Sequence, residues 1–256
     1  MRTPAEDEEL EPWIDARWAL ILAAAAVLLL RELVPFGRQI LYPFTLFGTW
    51  VHEMGHGLTG LLVGGSFDRL QIFWNASGLA SGTVDSGWPE ALRSAGGLLG
   101  PPVVGAFILA LARGPKRASI VLWALSALML LSVPLWIRSV TGFVVIPPVA
   151  LAIALLAYKG GETARHIGAQ ALGVILALDT VTRIDYLFTA EVTVDGRELP
   201  SDVSHIADAV GGHYLLWGGL LAALSLVFLA VGLRIAWLSP VPIPRVLRRR
   251  NPNTVT

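Results

Sequence analysis

The chain has no cysteine among its 256 residues. Disulfides, thiolate metal sites and a cysteine nucleophile are therefore excluded. Any metal must be held by His, Asp, Glu or water. Charge is also scarce: Asp, Glu, Lys and Arg make up 15% of the chain, against about 25% in a soluble domain. The formal net charge is +0, so no overall basic field points to nucleic acid as a partner. No stretch between the apolar segments is long enough for a soluble accessory domain. Hydrophobic residues instead make up 54% and mean hydropathy is +0.64, the composition of an integral, multi-pass membrane protein.

Residues 1–17, "MRTPAEDEELEPWIDAR", are acidic and polar and lack the basic segment that opens a secretory signal. They read as a disordered tail. A bilayer-spanning helix needs about 20 mostly apolar residues. Seven runs approach that length: Trp18–Val34, Ile40–Gly64, Gly96–Ala112, Ser119–Trp136, Phe143–Tyr158, His166–Leu178 and His213–Leu238. The expected fold is an all-α polytopic membrane protein of about six to seven transmembrane helices, forming a single domain over residues 18–240. The proline pairs at 101–102 and 147–148 should break or kink their helices. With seven spans, Arg and Lys divide 7 to 12 between the two sides. The richer side is expected to be cytoplasmic and to hold the C-terminus. The basic tail 241–256, with "RVLRRR", then lies against anionic lipid headgroups.

Two stretches do not look membrane-embedded. Residues 66–94 contain "FDRLQIFW", partly alternating, followed by the turn-rich "NASGLASGTVDSG", and read as a β-hairpin. Residues 179–212 form a polar loop. It predicts a short strand, an Asp195-Gly196 turn and a short helix capped by Ser201 or Asp202.

The chemistry concentrates in "WVHEMGHGLTG", residues 50–60. On a helix, His52 and His56 are four apart and share a face, so both imidazoles can reach one ion. Glu53 lies about 100° around from His52 and flanks that ion without needing to bind it. Neutral imidazoles suit zinc, and a neighbouring carboxylate suits the proton of an attacking water. A charge at the centre of a membrane helix costs about 2.5–3.5 kcal/mol, which favours a metal site over incidental polarity. Gly60-x-x-x-Gly64 has the spacing of close helix packing.

"WVHEMGHGLTGLLVGGSFDRLQIFWNASGLASG" resembles the site-2-protease-like intramembrane zinc metallopeptidases, with "ALDTVTRIDYLF" and "LPSDVSHIADAVGGHYLLWG" similar to the later part of a bacterial and plant branch. The resemblance spans about residues 40–240. It implies a bacterial plasma-membrane peptidase that cleaves peptide bonds in or near the membrane, one zinc held by His52 and His56, and Glu53 as catalytic base. The implied partners are lipids and a membrane-spanning or membrane-proximal polypeptide. The chain departs from the better-known members by lacking an Asn-Pro…Asp-Gly motif. Its third zinc ligand must come from elsewhere, because a catalytic zinc usually has three protein ligands. Asp179, at the end of an apolar run, is the first candidate. Asp202, which matches the branch's Ser-Asp pair, is the alternative. Asp185, His205 and Asp208 complete the set. His166 and His213 stand at span ends, where interfacial hydrogen bonding is expected. The edge of the "FDRLQIFW" strand is a candidate for pairing with an unwound substrate. Two other readings stand beside the zinc endopeptidase: a non-catalytic membrane scaffold or chaperone of the same fold, and a metal-linked transporter.

Overall fold

The computed structural model describes residues 33–237, preceded by Ala25, Leu29 and Leu30. The acidic tail, most of the run Trp18–Val34 and the basic tail lie outside the described residues.

The zinc-motif run folds as helix α1, Tyr42–Leu62. Pro43 sits in its first turn, where a missing N–H costs little. It stops at Gly64, whose φ is 88°. The Gly65 N–H donates to the Gly60 carbonyl at 2.9 Å, the six-to-one bond of a Schellman ending. A two-stranded antiparallel hairpin follows: β1, Arg69–Ile72, and β2, Gly78–Ser81, with Arg69 opposite Ser81 and Ile72 opposite Gly78. The hairpin expected over residues 66–94 is shorter than that, because α2 begins at Trp88 and runs to Leu111.

Next come α3 (Pro115–Leu135), α4 (Val140–Lys159) and α5 (Glu162–Ala177). A single helical turn, α6 (Asp179–Thr182), and a 3-10 segment (Ile184–Phe188) lead to a second hairpin, β3 (Glu191–Val194) and β4 (Arg197–Pro200). Asp195 and Gly196 link these strands with φ of 50° and 75°, the two left-handed residues of a tight hairpin turn. Helix α7 (Asp202–Val210) follows, then α8 (Tyr214–Trp237). Ser201 caps α7, its Oγ accepting from the Ser204 N–H.

The proline pairs do not break their helices: Pro101 and Pro102 lie inside α2, and Pro147 and Pro148 inside α4. A proline inside a helix costs about 3 kcal/mol. In apolar surroundings, unwinding would strand several backbone groups at several kcal/mol each, so continuity is the cheaper choice.

Helix α2 is the hub, packed against α1, α5, α7 and α8. Its contact with α1 is close because glycines meet there: a side chain on Gly55 would strike the Gly96 carbonyl. The expected Gly60–Gly64 pair does not serve this packing. Gly60 has nothing nearer than 3.6 Å to an added Cβ, and Gly64 ends the helix. Leu46, Phe47, Trp50 and Val51 of α1 enter a core with Leu70, Leu122, Met129 and Ile146. A second cluster joins Ala91 and Leu98 of α2, Leu187, Val203 and Ile206 of α7, and Leu221 of α8. It seats α7 beside the zinc-motif helix.

Among the described residues, four helices are long and apolar enough to cross a membrane: Trp88–Leu111, Pro115–Leu135, Val140–Lys159 and Tyr214–Ala236. The count of six to seven is not reproduced. Helix α5 has 16 residues, short of the usual length. Helix α1 has 21, but its glycines and its polar motif dilute its hydropathy.

Candidate metal centre

His52 and His56 project from one face of α1, with their Nε2 atoms 3.1 Å apart. The third group facing them is Asp202, at the start of α7. Its Oδ2 is 3.2 Å from His52 Nε2 and its Oδ1 is 3.3 Å from His56 Nε2. Asp202 reaches the pair because Ser201, not Asp202, caps α7, leaving the carboxylate free to turn outward from the first turn. Asp179 does not reach them. Its Oδ1 pairs with Arg183 Nε at 3.2 Å and lies against Gly48, a full turn earlier on α1. The structure thus brings Asp202, the alternative, to the imidazoles and not Asp179, the first candidate: depth along the chain places Asp179 near the motif helix, but α6 aims its carboxylate at Arg183.

The three donors fit a zinc ion by geometry and by chemistry. Metal–ligand bonds of about 2.0–2.1 Å in a tetrahedron put neighbouring ligand atoms about 3.3 Å apart, close to the spacings above. The His56 Nδ1–H donates to the Arg93 carbonyl at 2.9 Å, which leaves its Nε2 as a lone pair. That lone pair, the one on His52 and a carboxylate then converge, and a cation satisfies all three. An added side chain at Gly97 would collide with the His56 ring, so this glycine makes room for it.

Glu53 is buried at 5% exposure. It lies under β2, where a side chain on Gly78 would come 2.5 Å from Oε1, and it accepts from the Ala80 backbone. Arg93 fixes the same strand from the other side, its Nη2 donating to the Ala80 carbonyl at 2.7 Å. The Tyr186 hydroxyl donates to Asp202 Oδ2 at 2.9 Å. Burial, reinforced by the Asp202 carboxylate, pushes the Tyr186 phenol well above its ordinary range. Burial also opposes charge on Asp202, but the His56 and His52 rings that face it hold its carboxyl well below the usual carboxylate value.

Two chambers flank this group. One, of about 350 Å³, lies toward Thr45, Thr49, Asp179 and Arg183. The other, of about 380 Å³, lies toward β2, Arg93 and His205. His52, Glu53, Gly78, Tyr186, Val192 and Val194 line both, so both chambers border the candidate metal position.

The remaining sequence candidates stand apart from the three donors. Asp185 and Asp208 are exposed. His205 Nδ1 faces Glu90 Oε1 at 3.8 Å. His213 is exposed, its Nδ1 accepting from the Leu215 N–H. His166 is buried at 5% exposure in the second turn of α5. Tyr186 and Arg93 were not singled out from the sequence. Arg93 acts partly through its backbone carbonyl, which leaves no trace in residue identity.

The family model for peptidase M50B-like proteins matches residues 18–232. The chain belongs to that family. No curated protein and no solved structure matches it significantly. Family membership and the four apolar helices make this a membrane protein of a peptidase family, and the resemblance read from the zinc-motif stretch is shown.

Proposed function

We propose that the protein is a zinc-dependent endopeptidase that hydrolyses peptide bonds of membrane-associated polypeptides. The observation that carries this is the convergence of His52 Nε2, His56 Nε2 and the Asp202 carboxylate within 3.1–3.3 Å of one another, with Glu53 beside them. Zinc bound by these three residues supplies Lewis acidity toward a carbonyl oxygen and toward water.

The rest of the chemistry belongs to the chain. Glu53 takes a proton from the attacking water and delivers it to the leaving amide nitrogen. Its burial keeps competing solvent away, and the Ala80 amide holds it in place. His56 keeps its orientation through the Arg93 carbonyl. An extended peptide enters the cleft between β2 and the second hairpin, with its backbone exposed only after local unwinding. The edge of β1 is not its docking strand. The Leu70 N–H donates to the Trp136 carbonyl at 2.7 Å, and the Leu70 carbonyl accepts from the Arg138 N–H at 2.9 Å. That edge is already paired, whereas Gly78 of β2 lines both chambers.

The test is Glu53→Gln. Purified in detergent, the variant keeps about one zinc per chain by elemental analysis, like the wild type, and loses cleavage of a membrane-tethered peptide. Retained cleavage in the variant, or no zinc in the wild type, sinks the proposal.

A further inference from the structure

We propose that Tyr186 fixes how Asp202 meets the metal: its phenol takes Oδ2 and presents Oδ1 as a single-oxygen ligand. This rests on the zinc reading of the site. A carboxylate can offer a metal one oxygen or both, and both Asp202 oxygens reach the centre, at 3.2 Å from His52 Nε2 and 3.3 Å from His56 Nε2. Two-oxygen binding would occupy a position that a catalytic site keeps for water or substrate. The two oxygens are not equivalent. Oδ2 accepts from the Tyr186 hydroxyl at 2.9 Å. Oδ1 has no hydroxyl or amide donor among the described residues. A donor on one oxygen draws its electron density away from a cation and leaves the other as the better ligand.

The phenol is held in place from several sides. Its ring meets the His52 ring edge-on, with centroids 6.1 Å apart. Three residues earlier, Arg183 Nη2 donates to the Thr45 carbonyl at 3.2 Å and the Thr49 Oγ1 at 3.1 Å, tying this segment to α1. One residue later, Leu187 is buried at 2% exposure. Its carbonyl lies so close to α8 that a side chain on Gly218 would collide with it. Tyr186 packs on the apolar cluster of Ala91, Leu98 and Leu187. Phenylalanine would fill that packing equally well, so the hydroxyl is accounted for by Asp202 alone.

The experiment uses the full chain in detergent. X-ray absorption on the zinc-loaded wild type distinguishes one-oxygen from two-oxygen carboxylate ligation without any substitution, and one-oxygen ligation is expected. Tyr186→Phe is then compared with wild type by cobalt substitution and by chelator competition for zinc. The expected result is weaker visible cobalt bands, as coordination number rises, and a zinc affinity about 10–100-fold lower. A purely structural role would not move the cobalt spectrum. Two-oxygen ligation in the wild type, or a cobalt spectrum and zinc affinity unchanged in Tyr186→Phe, overturns the inference while leaving the zinc peptidase intact. A wild type that binds no metal overturns both, and is recognised before any variant is made.

Discussion

Replacing Asp202 and Asp179 one at a time separates the two carboxylates that the sequence left in competition. Asp202→Ala removes the only carboxylate among the three converging donors. Loss of a residue that merely supports a zinc ligand costs about 10–100-fold in affinity. Loss of a ligand itself should exceed that upper figure, so at least about 2.7 kcal/mol of binding disappears, at 1.36 kcal/mol per tenfold. The fold should survive. The cap of α7 is the Ser201 hydroxyl, so Asp202→Ala keeps it. The variant gives up a favourable first-turn charge, about 0.3–1 kcal/mol, and leaves Tyr186 without its acceptor, about 1 kcal/mol. Asp179→Ala instead removes a partner of Arg183 at 3.2 Å and leaves the donor set whole. Zinc content and chelator competition on both purified variants, with melting followed in parallel, check the reasoning. Zinc affinity within tenfold of wild type in Asp202→Ala, or its loss in Asp179→Ala, would refute it.

Three further outcomes follow from other contacts. Gly97→Ala forces a methyl into the His56 ring and should cost about 1–3 kcal/mol of overpacking, seen as weaker zinc binding in the same chelator assay; unchanged affinity argues against the tight seat for His56. Ser201→Ala removes the fully buried α7 cap and should lower stability by about 1 kcal/mol, read as a lower melting temperature. Gly196→Ala puts a side chain at φ 75° and should cost about 1–2 kcal/mol; faster amide exchange confined to residues 191–200 is the expected readout, and exchange equal to wild type speaks against the tight turn.

Much of the local structure was legible in the chain because it rests on short-range rules. The i, i+4 spacing put His52 and His56 on one helical face, and Asp195-Gly196 marked a hairpin turn that the backbone adopts. Serine before aspartate announced the start of α7. The failures share a different cause. The Gly60–Gly64 spacing has the form of a packing motif, but which glycines face a neighbour depends on the rotation of α1 against α2. Gly55 and Gly96 hold that place instead. The β1 edge looked open because its partner, Trp136–Arg138, lies beyond three intervening elements. The proline pairs were judged by their local cost alone, without the surroundings that make unwinding dearer.

By itself, the sequence determined that two imidazoles and a glutamate would stand together on one apolar helix, since a helix repeats every 3.6 residues wherever it is placed. It also determined the composition of a membrane protein. It could not choose between Asp179 and Asp202, because both are carboxylates at the edge of a helical turn and nothing local tells them apart. That choice was made by the apolar cluster of α2, α7 and α8. Burying Val203 and Ile206 against α2 turns Asp202 toward the imidazoles, about 150 residues away along the chain, an outcome set by how three surfaces fit and not by any residue's own preference.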